Sequence, residues 1–124
     1  SLNPAGLYRA AIEGASLALA QGLSHLQVLD LPVKRLRLVG GGARNPLWAR
    51  ILCDMVQQPL EILVEQESAA LGAALQARWM ECGIHPSEYR PTRLGDPLQP
   101  DQECASHYAS KLQAFTKLGQ QLFG

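Results

Sequence analysis

Three consecutive glycines, Gly40, Gly41 and Gly42, stand between a run of strand formers and an amphipathic helix, and this junction constrains the fold most. The residues before the glycines predict a strand over residues 33–39. After them, Asn45 and Pro46 predict a helix start, because asparagine can cap the first turn and proline needs no amide partner there. The sequence therefore predicts a strand, a tight glycine turn and a helix in direct succession.

Further helices and strands alternate on both sides of this junction. The pattern predicts a helix over residues 7–29, the strand, a helix that starts at residue 45 and stops before residue 59, a strand over residues 60–64, a helix over residues 69–82, an irregular loop over residues 85–100 and a last helix capped by Asp101. This alternation indicates an α/β layer structure. Two or three strands make a thin sheet, so we expect further layers from an upstream part of the same polypeptide or from a partner chain.

The spacing of apolar residues predicts how the helices pack. The helix after the glycines carries an apolar stripe that is typical of a helix packed on a sheet. The members of this stripe are Leu47, Trp48, Ile51, Leu52, Met55 and Val56. The first helix has only a narrow polar stripe, which predicts that most of it is buried. The last helix carries its own apolar stripe, through Tyr108 and Phe115.

Composition and charge exclude several classes of protein. The chain has 124 residues, of which 47% are hydrophobic, as in a globular domain. Eleven basic residues balance 11 acidic ones, so neither a nucleic-acid partner nor a membrane partner is expected. No apolar run approaches the length of a membrane span, and residues 1–4 do not resemble a signal peptide. We expect a cytoplasmic protein, and the missing initiator methionine predicts that the chain begins inside a longer polypeptide.

The three cysteines, Cys53, Cys82 and Cys104, are widely spaced and form no Cys-x-x-Cys pair. They are expected to be reduced and mostly buried, as in a cytosolic protein. The three histidines show no ligand spacing with each other or with the cysteines. The sequence therefore predicts no metal site within the chain itself.

The glycine turn suits a nucleotide on physical grounds. Glycines remove the side chains that would keep a flat ligand off the backbone, and a helix N-terminus beside them offers free amides and a positive dipole end. The sequence matches neither known phosphate-binding motif. A dinucleotide fingerprint requires glycine at position 45, where this chain has Asn45, and a P-loop requires lysine followed by serine or threonine. The residues alone leave two interpretations open. Either a planar base lies against the glycines, or the glycines serve only to permit a tight turn.

Four segments together resemble one enzyme family. Residues 38–48 are similar to the adenosine motif of the FGGY carbohydrate kinases, and the Gly-Gly-Gly-Ala spelling with Trp48 is most like the xylulokinases among them. Residues 9–14 resemble the Arg-Ala-x-x-Glu-Gly helix that precedes this motif. Residues 51–55 resemble the family's Ile-Leu-Ala-Asp-Val segment, and residues 68–74 its late Ala-Leu-Gly-Ala-Ala helix. The segments keep the family order, whereas residues 85–124 match only loosely.

This resemblance implies a fold and a site. The implied fold is α/β and ribonuclease H-like (actin-like ATPase), and residues 1–124 would form part of its C-terminal nucleotide-binding domain. The resemblance also implies the residues that would line the adenosine (Gly40, Gly41, Gly42), border its pocket (Ala43, Arg44) and hydrogen-bond the base (Asn45). For Arg44 an exposed surface position is the alternative. Arg9 and Glu13 would lie near the nucleotide or form an ion pair on the helix surface, and their spacing favours the ion pair.

The resemblance further implies a reaction, phosphoryl transfer from ATP to a sugar hydroxyl, most like that of D-xylulose to D-xylulose 5-phosphate. Such chemistry needs Mg²⁺ and a carboxylate that receives the hydroxyl proton. The family places the catalytic Asp, the phosphate turns and the sugar contacts upstream. This chain is therefore expected to hold no catalytic residue and to be inactive alone. Its expected partners are ATP, a sugar and the upstream part of the same kinase, and a homodimer is left open.

Two other functions remain open at this stage. One is a different FGGY kinase, which would act on ribulose, gluconate, glycerol or a heptulose. The other is a non-catalytic actin-like module that binds a nucleotide to regulate or scaffold. A catalytic Asp and phosphate turns in the upstream sequence would distinguish a kinase from a module. An NAD-binding unit is disfavoured by Asn45, which stands where the dinucleotide fingerprint needs glycine.

Overall fold

The computed structural model describes residues 3–63, 68–89 and 95–124. Its helices and strands are, in chain order, α1 (Pro4–Val28), β1 (Leu36–Leu38), α2 (Pro46–Val56), β2 (Leu60–Ile62), α3 (Ser68–Cys82) and α4 (Ala105–Phe123). Short 3-10 helices lie at Gly41–Arg44, Pro86–Glu88 and Gln102–Cys104. The predicted order of helices and strands is confirmed. Predictions for residues 64–67 and for residues 90–94 of the loop lie outside the described residues.

Side-chain caps fix where the helices begin. The Asn3 side chain accepts a hydrogen bond from the amide of Gly6 at 2.6 Å, which places the start of α1 at Pro4. The predicted cap at Asn45 is confirmed. Asp101 accepts from the amide of Glu103 at 2.9 Å, so it caps the short 3-10 helix that leads into α4 rather than α4 itself.

Residues with positive φ fix where two helices end. Helix α2 stops at Val56 because Gln57 adopts a left-handed conformation with φ of +52°, so the helix ends before Pro59 can interrupt it. Helix α3 stops before Gly83, which has φ of +70° and whose amide donates to the Trp79 carbonyl at 2.9 Å. The glycine cap predicted at this position is therefore confirmed.

The two strands are parallel neighbours and are shorter than predicted. Leu36 pairs with Leu60, and Leu38 pairs with Ile62. On the far side of β2, Leu98 forms an isolated antiparallel bridge to Leu60. A parallel pair with a helix between its strands is a β-α-β unit, so α2 crosses from the end of β1 to the start of β2. This connection places the glycine turn at the C-terminal end of β1.

Helix α2 forms the centre of the core. One buried cluster joins it to α1 and α4 and contains Ile12, Leu17, Ala20, Ile51, Met55 and Tyr108. A second cluster joins α2 to the sheet and contains Leu52, Cys53 and Leu60. The predicted apolar stripe of α2 is confirmed, apart from Leu47 at its exposed first turn. Because α2 is packed on two sides, its first turn is held firmly beside the glycines.

The prediction that α1 is mostly buried is wrong. Leu7 is 63% exposed and Val28 is 84% exposed, because one neighbouring pair of helices and two short strands cannot cover a helix of 25 residues. Two members of the predicted polar stripe, Glu13 and Ser16, are buried instead. Their polar groups are accommodated because both are hydrogen-bonded, as described below.

The prediction that the cysteines are mostly buried is also wrong. All three are free, but only Cys53 is buried, whereas Cys82 is exposed and Cys104 is half-buried. Cys53 is part of α2 and packs in one cluster with Leu60 of β2, and burial raises the pKa of its thiol. Among the residues that the structure describes, no helix is both long and apolar enough to cross a bilayer.

Candidate functional site

The glycine turn is a well-defined backbone structure. Gly40 has φ of +83° and ψ of −170°, a conformation that L side chains rarely adopt. The chain then forms the 3-10 helix Gly41–Arg44, in which the amide of Ala43 donates to the Gly40 carbonyl at 3.0 Å. The amide of Asn45 donates to the Gly42 carbonyl at 3.1 Å. The turn therefore presents a fixed surface at the N-terminus of α2.

The fold requires glycine at two of the three positions, for different reasons. Gly40 is required by its positive φ. A Cβ atom on Gly42 would lie 2.6 Å from Cζ3 of Trp48, so Gly42 is required by the indole ring packed against it. Gly41 has neither constraint, because its φ is not positive and a Cβ atom there would have no described atom within 4 Å. The fold explains two of the three glycines and leaves the exposed surface at Gly41 unexplained.

The expectation of free amides at the start of α2 is wrong. The Asn45 side-chain oxygen accepts from the amides of Leu47 at 3.1 Å and Trp48 at 3.3 Å. The amide of Ala49 donates to the Asn45 carbonyl at 3.0 Å, and Pro46 has no amide hydrogen. A phosphate would have to displace this cap to gain those donors. The turn therefore suits an uncharged planar group better than an anion.

A tyrosine from α1 completes the arrangement around Asn45. Nδ2 of Asn45 donates to the Tyr8 hydroxyl at 2.7 Å, and Tyr8 is 54% exposed. Sequence reasoning missed Tyr8, because its partner lies 37 positions away in the chain and no motif marks the pair. The carboxamide of Asn45 is thus held by the first turn of α2 on one side and by α1 on the other.

A second bond between α1 and α2 lies in the interior. Nε1 of Trp48 donates to the Ser16 hydroxyl at 3.0 Å, and that hydroxyl donates to the Ile12 carbonyl at 2.9 Å. Ser16 is fully buried, so this bond would be costly to lose. It fixes the indole that packs against Gly42. Helix α1 therefore supports the glycine turn through Trp48.

The remaining two predicted pocket residues face different environments. Ala43 is buried, so its methyl group belongs to the interior and only its backbone can border a ligand. Arg44 is exposed at the end of the 3-10 helix. Their contact with a nucleotide stays a prediction.

Arg9 and Glu13 form the predicted ion pair, with Nε of Arg9 2.9 Å from Oε1 of Glu13. Its predicted surface location is wrong for Glu13, which is only 9% exposed and also accepts from Nζ of Lys111 on α4 at 2.5 Å. Burial raises the pKa of Glu13, but the hydrogen bonds from Lys111 and Arg9 outweigh burial and lower it. This cluster joins α1 to α4, and its charged groups are paired with one another.

Asp54 also has a structural role. It is buried on α2, and its Oδ1 accepts from Nη1 of Arg50 at 3.1 Å and from the amide of Asp101 at 2.9 Å. These bonds join α2 to the segment before α4. Across the described ranges, no group of three or more His, Cys, Asp or Glu residues could hold a metal ion.

An apolar hollow of about 500 Å³ opens between α1, β1 and α2. Leucines from α1, such as Leu19 and Leu23, form one side, and Trp48 lies on the other. Arg37 is the one charged residue that lines it. Because the hollow offers so few polar groups, it suits apolar side chains from further layers better than a nucleotide.

Comparison with known proteins agrees with this geometry. The family model described as the FGGY family of carbohydrate kinases, C-terminal domain, matches residues 1–81. Xylulose kinase from Haemophilus influenzae is 38% identical over 73 residues, which cover 59% of this chain and 15% of that protein. Xylulose kinase from Escherichia coli K12 is 31% identical over 126 residues and covers 97% of this chain. L-fuculokinase from Escherichia coli O157:H7 is 42% identical over 69 residues, which cover 55% of this chain.

Two solved structures align with nearly the whole chain. Xylulose kinase from Rhodospirillum rubrum aligns with a TM-score of 0.78 at 25% identity, over 98% of this chain and 25% of that one. A xyloylose kinase from Brucella ovis aligns with a TM-score of 0.83 at 26% identity, over 98% of this chain and 26% of that one. The chain thus spans about a quarter or less of the length of these relatives.

These alignments extend past the family match into α4, beyond the segments that carried the sequence resemblance. They confirm the predicted α/β, actin-like C-terminal domain fold. The family match covers the strand, the glycine turn, α2 and most of α3. The chain belongs to the FGGY family of carbohydrate kinases, in its C-terminal domain, and is most like the xylulose kinases.

Proposed function

We propose that residues 1–124 are the C-terminal nucleotide-binding part of an ATP-dependent sugar kinase and supply the adenosine side of its ATP site. The observation that carries the proposal is Gly41. Within the described parts of the chain nothing requires glycine at this exposed position, which lies in the short turn just before α2 in a chain of this kinase family. A planar base against this residue explains why a side chain is absent there.

The capped helix start favours the adenosine over the phosphates. The α2 amides that could bind an anion are occupied by Asn45, so the phosphates and their Mg²⁺ belong to the upstream part of the kinase. The base would lie against Gly40, Gly41 and Gly42, with Asn45 as its hydrogen-bond partner. Ala43 would contribute backbone, and Arg44 would border the ribose side.

The proposed sugar substrate is D-xylulose. Its support is the extent of the alignments, because the Escherichia coli xylulose kinase covers 97% of the chain and the two solved kinases cover 98%. Matches to L-fuculokinase, at 55%, and to the autoinducer-2 kinase of Klebsiella pneumoniae, at 60%, are shorter, as is the match to the Haemophilus influenzae xylulose kinase, at 59%. The substrates of these two kinases are the alternatives to D-xylulose. A non-catalytic nucleotide-binding module is the alternative to a kinase.

The same proposal assigns catalysis to the upstream part of the polypeptide. Phosphoryl transfer needs a carboxylate base and Mg²⁺ near the γ-phosphate. The described acidic residues with the best-defined partners, Glu13 and Asp54, are both used in structural bonds. We therefore expect the 124-residue chain to be inactive alone. A cytoplasmic location, where ATP is available, belongs to the proposal.

The test is the Gly41→Val substitution in the complete kinase polypeptide. We expect the KM for ATP to rise about tenfold or more, equivalent to at least about 1.4 kcal/mol of lost binding, because the side chain occupies the place of the base. The KM for the sugar should stay within about twofold, a difference below about 0.5 kcal/mol. The measurement is initial rates of ADP release with D-xylulose, L-fuculose and autoinducer-2 as acceptors.

The matched control is Ala114→Val, which also introduces a valine side chain, at an exposed position of α4. It should leave both KM values unchanged. An equal or larger effect of Gly41→Val on the sugar would refute the adenosine assignment. ATP binding without phosphorylation of any sugar would favour the regulatory module instead.

A further inference from the structure

We propose that Tyr8 is a positioning residue of the nucleotide site, which holds the Asn45 carboxamide so that it meets the base as a hydrogen-bond donor only. The inference rests on the proposed function and adds to it a residue of α1. Tyr8 lies outside the glycine motif and outside the residues matched to it from the sequence.

The first step concerns the oxygen of the Asn45 side chain. Oδ1 accepts two hydrogen bonds, from the amides of Leu47 and Trp48. A carbonyl oxygen has two lone pairs, so this oxygen has no further acceptor capacity for a ligand. Rotating the carboxamide by 180° would place its NH₂ group against two backbone donors and is therefore excluded.

The second step concerns the nitrogen. Nδ2 carries two hydrogens, and one of them is donated to the Tyr8 hydroxyl at 2.7 Å. With Oδ1 bound to α2 and Nδ2 bound to α1, the plane of the carboxamide is fixed, and the second N–H of Nδ2 has a defined direction. A carboxamide held in this way offers a base one donor, so it binds an acceptor such as a purine ring nitrogen.

The third step concerns the tyrosine itself. Its hydroxyl oxygen accepts from Asn45, so its own O–H stays a donor. Two donors therefore lie next to each other at Asn45, the residue that directly follows the glycine turn. An adenine base presents ring nitrogens as acceptors, which such donors can bind, whereas its exocyclic amine would find no acceptor on the Asn45 carboxamide.

A purely structural role would not require this arrangement. Tyr8 is 54% exposed, and an exposed hydrogen bond adds little to stability because water replaces it readily. The bond from Trp48 to the fully buried Ser16 already joins the same two helices. The Tyr8 bond lies instead at the surface beside the glycine turn, where it orients a side chain that faces solvent.

The experiment uses Tyr8→Phe in the complete kinase polypeptide, with the sugar at saturation. The ring is kept and only the hydroxyl is removed. We expect the KM for ATP to rise about 3- to 10-fold, the range for one neutral hydrogen bond, with kcat and the sugar KM unchanged. The probes are ATP and its 1-deaza, 3-deaza and 7-deaza analogues, each of which replaces one ring nitrogen by CH.

The analogues distinguish a specific role of Tyr8 in orienting Asn45 from a nonspecific loss of structure at the nucleotide site. In the unmodified enzyme, the analogue that lacks the bound nitrogen should lose affinity relative to ATP, and Tyr8→Phe should reduce that loss, because the two changes act on one interaction. The matched control is Tyr108→Phe, at a buried tyrosine whose hydroxyl lies 3.5 Å from Arg9. It should lower the unfolding temperature and leave the analogue pattern unchanged.

Two results would overturn the inference on Tyr8. One is a Tyr8→Phe enzyme with an unchanged KM for ATP. The other is an analogue pattern that Tyr8→Phe leaves unaltered. If either result occurs while Gly41→Val still raises the KM for ATP, the adenosine site stands and only the role of Tyr8 is refuted. If Gly41→Val also has no effect, the proposed site itself is refuted.

Discussion

Helices α2 and α3 occupy equivalent places, since each follows one strand of the parallel pair, yet they are buried to different degrees. Six residues of α2 are buried: Ala49, Ile51, Leu52, Cys53, Asp54 and Met55. Over residues 69–82 of α3 no residue is buried, and only Leu71 and Leu75 are half-buried. Trp79 is 46% exposed and Met80 is 82% exposed. The two helices therefore depend on different stabilising effects.

Packing stabilises α2, whereas intrinsic propensity accounts for α3. The apolar residues of α2 form one stripe that contacts α1, α4 and the sheet. Helix α3 contains five alanines and two leucines among its 15 residues, and both residue types have high intrinsic helix propensity. Among the described elements its main neighbour is the short helix Pro86–Glu88, and the edge of Trp79 packs against the preceding residue His85, with ring centroids 4.8 Å apart. An apolar sequence alone therefore does not show which helix lies in the core.

The largest expected difference is in the cost of shortening a side chain. Ile51→Ala should lower the free energy of unfolding by about 2–4 kcal/mol, because it leaves a cavity between α2 and its neighbours. Leu75→Ala on α3 should cost less than about 1 kcal/mol, because little surface is buried there. Urea unfolding of the two variants measures both values. Equal costs would show that α3 is as well packed as α2 and would remove the contrast.

Replacement of glycine by alanine should have opposite effects on stability in the turn before α2 and in α3. Gly42→Ala should destabilise by about 1–3 kcal/mol, because its Cβ atom would collide with Trp48. Gly72→Ala should stabilise by about 0.5–1 kcal/mol, because it lies in a helix with open space around it and alanine is the better helix former. Thermal unfolding measures both. Destabilisation by Gly72→Ala would reveal a close neighbour of α3.

The smallest effect concerns pH and should be confined to the α2 side of the molecule. The pKa of Glu13 is below its ordinary value of 4.5, because the hydrogen bonds from Lys111 and Arg9 outweigh the opposing effect of burial. Its contribution is therefore present above pH 4.5 and is lost as the pH falls through the lowered pKa. From about pH 6 to about pH 3, the free energy of unfolding should therefore decrease, by less than in the two comparisons above.

Hydrogen exchange across that pH range, corrected for the intrinsic rates, locates the loss. Protection of amides in α1, α2 and α4 should fall, whereas α3 should change little. In the control Glu13→Gln, the pH dependence of the difference between the two regions should be smaller. An unchanged profile in that variant would show that another carboxylate is responsible.

Local features were predictable because they depend on neighbours in the chain. Asn45 with Pro46 identified the start of α2, and the stripe through Ile51 and Met55 identified its buried face. The positive φ of Gly40 and the cap at Gly83 follow from the conformational freedom of glycine. The prediction for α1 failed because burial depends on elements far along the chain. Too few of them cover Leu7 and Val28, whereas Glu13 and Ser16 find partners on α4 and α2.

The sequence by itself determined the order of elements, the glycine turn and the family, since each follows from residue type and spacing. Tertiary structure alone decided which polar groups are already used. The amides at the start of α2 are bound by Asn45, and Asn45 is bound by Tyr8 from another helix. Only the fold separates Gly42, which Trp48 requires, from Gly41, which faces open space. The physical reason is that hydrogen-bond satisfaction and steric contact depend on distance in space, which spacing along the chain does not specify.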